Sequence, residues 1–137
     1  MAKVFLDTNI LIYSVDQADP EKQRIAIEVI SEHAQSRSGV ISTQVLQEFY
    51  SAATRKLGVE PLLAKQHLQD FRIFDTVTIS PDMIEEAVDC SILHQVSFWD
   101  GLILTAAQTA GCNELLSEDL NASQTIKGVT IHNPFTG

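Results

Sequence analysis

The feature that most limits how this chain can fold is an alternation. Short apolar runs take turns with longer segments of helical period, and proline or glycine marks most of the junctions. "KVFL" (3–6) reads as a short buried strand. "PEKQRIAIEVISEHAQS" opens on Pro20, a favourable first helical residue, and sets Ile25, Val29 and Ile30 at helical spacing. "GVIS" (39–42) is the next strand, and "TQVLQEFYSAATRKLG" is a helix closed by Gly58. A helix starts at Pro61, a strand is expected at "TVTI" (76–79), and Pro81 opens "PDMIEEAVDCSILHQ". "SFWDGLILTAAQTAG" is a helix stopped by Gly111, and "NELLS" and "GVTIH" are the closing strands. Strand–helix alternation of this kind specifies a three-layer α/β/α sandwich around a mainly parallel sheet. At 137 residues, with no repeat or linker, the expectation is one domain over 1–137.

Open parallel sheets bind ligands beyond the carboxyl ends of their strands. The acids that fall there are therefore the residues to weigh. Asp7 interrupts the apolar "VFLDTNILIY", directly after the first strand. Glu48 lies in the helix after the second strand. Asp119 follows "NELLS", and Asp100 sits near the start of the "SFWD" helix. Each has a structural alternative. Asp7 can cap the helix that follows it. Asp100 completes a capping-box pattern with Ser97. Glu48 stands at the border of the apolar arc made by Val45, Phe49, Ala52, Ala53 and Leu57, where a solvated acid also fits. Asp119 can be a plain loop acid, with Glu118 beside it.

Convergence separates these readings. Two carboxylates about 5 Å apart repel by about 3 kcal/mol at an effective dielectric near 20. Four of them at one sheet edge persist most easily around a divalent cation, and an all-oxygen donor set selects Mg²⁺ or Mn²⁺. Such an ion is the usual partner of a substrate phosphate.

On these motifs the chain resembles the PIN-domain proteins, in particular the VapC-like toxins of prokaryotic toxin–antitoxin pairs. "VFLDTNILIY", "STQVLQEF", "SFWDGLILTAA" and "LLSEDL" are similar to the four acidic motifs of that family, in order and nearly end to end. "GVTIHNPF" resembles a closing strand and tail of one branch. The resemblance implies a Mg²⁺- or Mn²⁺-dependent endoribonuclease with a catalytic set of Asp7, Glu48, Asp100 and Asp119. Asp7, Asp100 and Asp119 hold the ion in this reading, Glu48 is a ligand or positions water, and Asn9 and Ser117 orient the acids. Asn121 stands where many relatives carry a further acid, which shifts weight to Glu118 or to bridging waters. A homodimer and a small antitoxin that covers the site are implied as partners. "FRIFDTV" (71–77) and the Pro20 helix are the apolar surfaces offered for them, with core packing the larger role of most of those residues.

The charge balance tests the RNA reading. Eighteen acids against nine Lys and Arg give a net charge of −9, the wrong sign for a chain that binds phosphate over its whole surface. A cation in the acid site screens part of that charge. Arg55, seven residues after Glu48 and on the same side of its helix, and Lys56 are the candidates for RNA contact. Two rivals stand beside this reading. A phosphatase or receiver-like domain would use Asp7 as phosphoryl acceptor, but Asn9 occupies the position where such a site needs a second aspartate. A PIN-like module without activity would bind RNA or protein only. The histidines at 33, 67, 94 and 132 form no evident acid–base pair. No basic, apolar leader opens the chain, the uncharged stretch between Asp100 and Glu114 is too short to cross a membrane, and two cysteines make no disulfide framework. A cytoplasmic protein is expected.

Overall fold

The computed structural model describes residues 2–136. In chain order the elements are β1 (Val4–Leu6), α1 (Thr8–Tyr13), α2 (Pro20–Gln35), β2 (Gly39–Ser42), α3 (Thr43–Arg55), α4 (Pro61–Asp70), β3 (Asp75–Val77), α5 (Pro81–His94), α6 (Phe98–Thr109), β4 (Glu114–Leu116), β5 (Thr125–Ile126) and β6 (Val129–His132). A 3-10 turn at Phe71–Ile73 joins α4 to β3. The strands form a six-stranded sheet in the order β3-β2-β1-β4-β6-β5. All pairings are parallel except the β5–β6 hairpin.

β1 and β2 are buried at every position, as expected of strands covered on both faces. The chain steps from β1 to β2 to β3 in one direction, through α1–α4, and then crosses back to β4 through α5 and α6. Right-handed crossovers put helices on opposite faces when the direction reverses. The contacts agree: α1 packs on α2 and α3, α3 on α4, and α5 on α6. The mainly parallel α/β architecture expected from the alternation is the one observed. Phe5, Ile41, Phe49, Ile103, Leu104, Leu115 and Ile131 are among the fully buried side chains of its core.

β1 and β4 are neighbours whose connections leave in opposite directions, one to β2 and the other to β6. This is the switch point at which open α/β sheets open a crevice. The register Leu6↔Leu116 brings Asp7 and Ser117 out together at the carboxyl ends, and the Asp7 N–H donates to the Leu116 carbonyl at 3.0 Å. On the other side, α6 approaches α5 so closely that a Cβ at Gly101 would lie 2.8 Å from the Ala87 carbonyl oxygen. The glycine after Asp100 thus fixes where the first turn of α6 sits.

Beyond small shifts at element ends, two features differ from the sequence reading. The strand expected at 76–79 runs over Asp75–Val77, because pairing with β2 ends at Ser42↔Val77 and the Ile79 N–H turns to the Thr43 hydroxyl. β5 is absent from the sequence reading. It is two residues long and exists through its hairpin, where Lys127 and Gly128 both take positive φ, the backbone of a tight primed turn.

Candidate active site

Asp7 is 5 % exposed and caps α1. Its Oδ1 accepts from the Thr8 N–H and its Oδ2 from the Ser117 hydroxyl, both at 2.7 Å. Burial pushes its pKa from 3.8 up to about 7; the Ser117 and Thr8 hydrogen bonds oppose that rise, and the Asp119 and Glu48 charges add to it. Capping and site membership therefore coexist in one residue.

Glu48 projects from the middle of α3 and is half-buried. Its Oε1 accepts from the Thr8 hydroxyl at 2.7 Å. Asn9 works from the other end of the switch point. Its Nδ2 donates to Asp119 Oδ2 at 3.1 Å and to Ser117 Oγ at 3.4 Å, while its Oδ1 accepts the Glu118 N–H. Ser117, fully buried, also accepts the Asp119 N–H. One serine hydroxyl thus ties the loop after β4 to the end of β1.

Asp100 stands in the first turn of α6, where the Ser97 hydroxyl accepts its N–H at 3.0 Å. Its pKa is raised by burial, lowered in part by Ser97, and raised again by the Asp119 charge. The four expected acids are thereby brought into one electrostatic neighbourhood: Asp119 and Glu48 act on Asp7, and Asp119 acts on Asp100. They do not form a closed ligand cage. Among the described residues no three His, Cys, Asp or Glu side chains are drawn around one point. Thr8, Asn9 and Ser117 stand between the carboxylates instead.

A cleft of about 560 Å³ opens over Glu48 and Asp119, with Thr8, Asn9, Arg55 and Lys56 also on its wall; Asp7 and Asp100 do not line it. Arg55 and Lys56 line the same cleft as Glu48, and both are exposed. Glu118 points elsewhere. It accepts from Lys22 Nζ and from the Tyr13 hydroxyl. Burial works against its charge, yet the Lys22 and Tyr13 hydrogen bonds outweigh that and leave its pKa lowered. Lys22 also lies over the Tyr13 ring, which meets Phe135 edge-on at 4.9 Å. Glu118 anchors the Asp119 loop rather than adding a fifth acid to the cleft.

Thr8 as a bridge, Gln44, Lys22 and Tyr13 are outside the sequence reading. Gln44 had a signal: it lies four residues before Glu48 and so shares its side of α3. Lys22 and Tyr13 meet Glu118 across most of the chain, and nothing local announces that contact. The histidines lie apart. His33 bonds the Val29 carbonyl, His132 faces Glu114 and His67 stacks on Phe71.

A sequence model of the PIN domain matches residues 4–127. The chain belongs to the PIN domain family. Several solved structures share its fold. A toxin–antitoxin complex from Klebsiella pneumoniae aligns with TM-score 0.68 at 23 % identity, over 96 % of this chain and 98 % of that one. DNA-bound VapBC from Salmonella typhimurium gives TM-score 0.68 at 18 % identity, over 98 % and 99 %. Mycobacterium tuberculosis VapC20, a sarcin–ricin loop cleaving toxin, gives 0.65 at 16 %, over 82 % and 87 %. At these identities the likeness is one of fold. No curated protein sequence matches the chain.

Proposed function

We propose that this PIN domain is a divalent-cation-dependent endoribonuclease and the toxin of a toxin–antitoxin pair. The observation that carries the reading is Asp7: a buried carboxylate at the switch point, its pKa raised to about 7, with Glu48, Asp100 and Asp119 nearby and no lysine or arginine bonded to any of the four among the described residues. Such a site lacks positive charge. Its donors are all oxygen, which suits a hard cation. In this reading Asp7, Asp100 and Asp119 hold Mg²⁺ or Mn²⁺, with Glu48 as a further ligand or as the group that orients water.

When bound, the ion supplies Lewis-acid activation of water and neutralises charge on the phosphate. The chain's own groups do the rest. Ser117 and the Thr8 N–H fix the Asp7 carboxylate, Asn9 holds Asp119, and Thr8 holds Glu48 facing the cleft. Glu48 accepts the proton of an attacking water, the role its half-buried carboxylate suits. Arg55 and Lys56 receive the flanking phosphates.

The relatives support the biological assignment, since structures of this fold include a toxin that cleaves the sarcin–ricin loop and toxin–antitoxin complexes. Partners need surface. Of the segment 71–77, Phe71 and Phe74 are core residues and Ile73 is 68 % exposed. A second apolar ridge, absent from the sequence reading, is formed on α5 by Ile84, Val88 and Ile92. These are the surfaces on which we place a second copy and the antitoxin. No helix among the described residues is long and apolar enough to cross a membrane, and Cys90 and Cys112 are unpaired thiols, in keeping with a cytoplasmic protein.

The test is cleavage of a mixed RNA pool by purified, partner-free protein in Mg²⁺, in Mn²⁺ and in chelator. Cutting with either ion and none in chelator is expected. Undiminished cutting in chelator ends the cation mechanism, and no cutting under any condition ends the nuclease reading.

A further inference from the structure

Gln44 opens α3 one turn before Glu48 and is 4 % exposed. Its Nε2 donates to the Trp99 carbonyl at 3.2 Å and, at 3.4 Å, to Glu48 Oε2. Trp99 directly precedes Asp100. One side-chain amide therefore joins the helix that carries Glu48 to the turn that carries Asp100. The amide cannot be turned over, because Oε1 would then face a carboxylate and a carbonyl, both acceptors. In this orientation Oε1 has no partner. Among the described residues it is one of two buried side-chain polar atoms left so, the other being the Thr105 hydroxyl. A buried carbonyl oxygen without a donor is costly and calls for an explanation.

We infer that Gln44 is a positioning residue of the acid site, resting on the cation-dependent reading above. It sets Glu48 and the first turn of α6 at a fixed separation through Nε2. Its Oε1 is kept free to accept a hydrogen bond from water that enters with the cation. Mg²⁺ in protein sites retains several waters, and groups that hold ligands and waters from behind tune affinity without touching the ion. A glutamine serves here where a glutamate would not: it donates to two acceptors and brings no further negative charge to a site that already has four.

The test is Gln44→Met, an apolar side chain of similar length. Mn²⁺ affinity is measured by calorimetry and thermal stability in chelator. A positioning role predicts an affinity loss of about tenfold or more. The chelator melting point stays near that of wild type, since losing the two Nε2 bonds, one to the Trp99 carbonyl within α6 and one to half-buried Glu48, is offset by removing the unpartnered Oε1. An affinity within about twofold of wild type overturns the inference. So does an affinity loss matched by a lower melting point in chelator, which marks Gln44 as scaffold. If the variant does not fold, the Gln44 side-chain amide resonances of the wild type decide. They are expected to move as Mg²⁺ saturates the site, and resonances that stay in place overturn the role. A wild type that binds no Mn²⁺ removes the cation reading itself, a result distinct from failure at Gln44.

Discussion

Asp7 and Glu118 follow adjacent strands, β1 and β4, and meet opposite fates. Glu118 has a lysine, a tyrosine hydroxyl and a lowered pKa. Asp7 has a serine hydroxyl, a backbone N–H, two acidic neighbours and a pKa raised to about 7. The same chain thus neutralises one acid with its own cation and leaves the other, more deeply buried, without one. Lys22 is spent on Glu118, against the tail at Phe135. What the difference teaches is that the unpaired charge at Asp7 is a property of the site, and in the proposed reading an ion from outside answers it.

The largest effect expected from this contrast is on cleavage. Asp7→Asn removes a proposed cation ligand and should lower the rate by about 100-fold or more, the scale of losing one group that stabilises the transition state. Glu118→Gln weakens an anchor and should leave most of the rate while lowering the melting point. RNA cleavage and thermal melts of both variants compare the two acids directly. Equal losses of activity would erase the distinction.

Next in size is the dependence of stability on pH in chelator. An acid whose folded pKa is raised costs stability wherever the unfolded chain would ionise it. For Asp7 the cost is absent below its ordinary value of 3.8, grows as pH rises, and is complete above about 7. At about 1.4 kcal/mol per pKa unit, with allowance for relaxation, it is on the order of 3 kcal/mol. Glu118, with a lowered pKa, runs the other way and loses its contribution as pH falls. Asp7→Asn should therefore melt above wild type at pH 8 in chelator, and the gap should close towards pH 4. A gap that does not change with pH would remove Asp7 as the titrating group.

Most of this contrast was legible in the sequence on one side only. Asp7 and Asp119 stand out because they follow strand ends, Asp100 because it opens a helix and Glu48 because it borders the apolar arc of α3, and those positions are set by local pattern. The helix boundaries at Pro20, Pro61 and Pro81 are likewise written in the chain, and the structure begins a helix at each. Lys22 and Tyr13 are ordinary helix residues until the fold sets them against Glu118, 96 and 105 residues away. β5 escaped for a related reason: two residues carry no period, and only the turn at Lys127–Gly128 makes them a strand. Long-range pairing decides what local pattern cannot express.

Asp100 sharpens the comparison from an intermediate position. It belongs to a capping arrangement with Ser97, yet its pKa is raised by burial and by Asp119. Asp100→Asn should melt higher than wild type in chelator by up to about 1 kcal/mol, after discounting for solvent screening. Added Mn²⁺ at about 100 times its Kd should stabilise wild type by about 2.7 kcal/mol, and the variant by less. A pure helix-terminus charge predicts the reverse in chelator, a loss of a few tenths to about 1 kcal/mol. Melts of both proteins with and without Mn²⁺ separate the two.

The smallest effect tests the two cations of the cleft. Arg55 and Lys56 are exposed, line the same space as Glu48 and Asp119, and form no ion pair among the described residues. Unlike Lys22, they are cations the fold has not used. A phosphate contact by Arg55 releases about one counterion's worth of salt dependence, near 0.7 in log–log slope on single-stranded RNA. Arg55→Ala should flatten the slope by about that amount and weaken binding uniformly across sequences. Mn²⁺ affinity should stay as in wild type, because Arg55 is bonded to none of the acids. Binding to an uncleavable RNA analogue across a salt series, beside Mn²⁺ calorimetry, reads both quantities. An unaltered slope would return Arg55 to a solvated helix end. A changed Mn²⁺ affinity would mean that the cations and the acids of the cleft act as one site, and the contrast drawn between used and unused cations would have to be redrawn around Arg55.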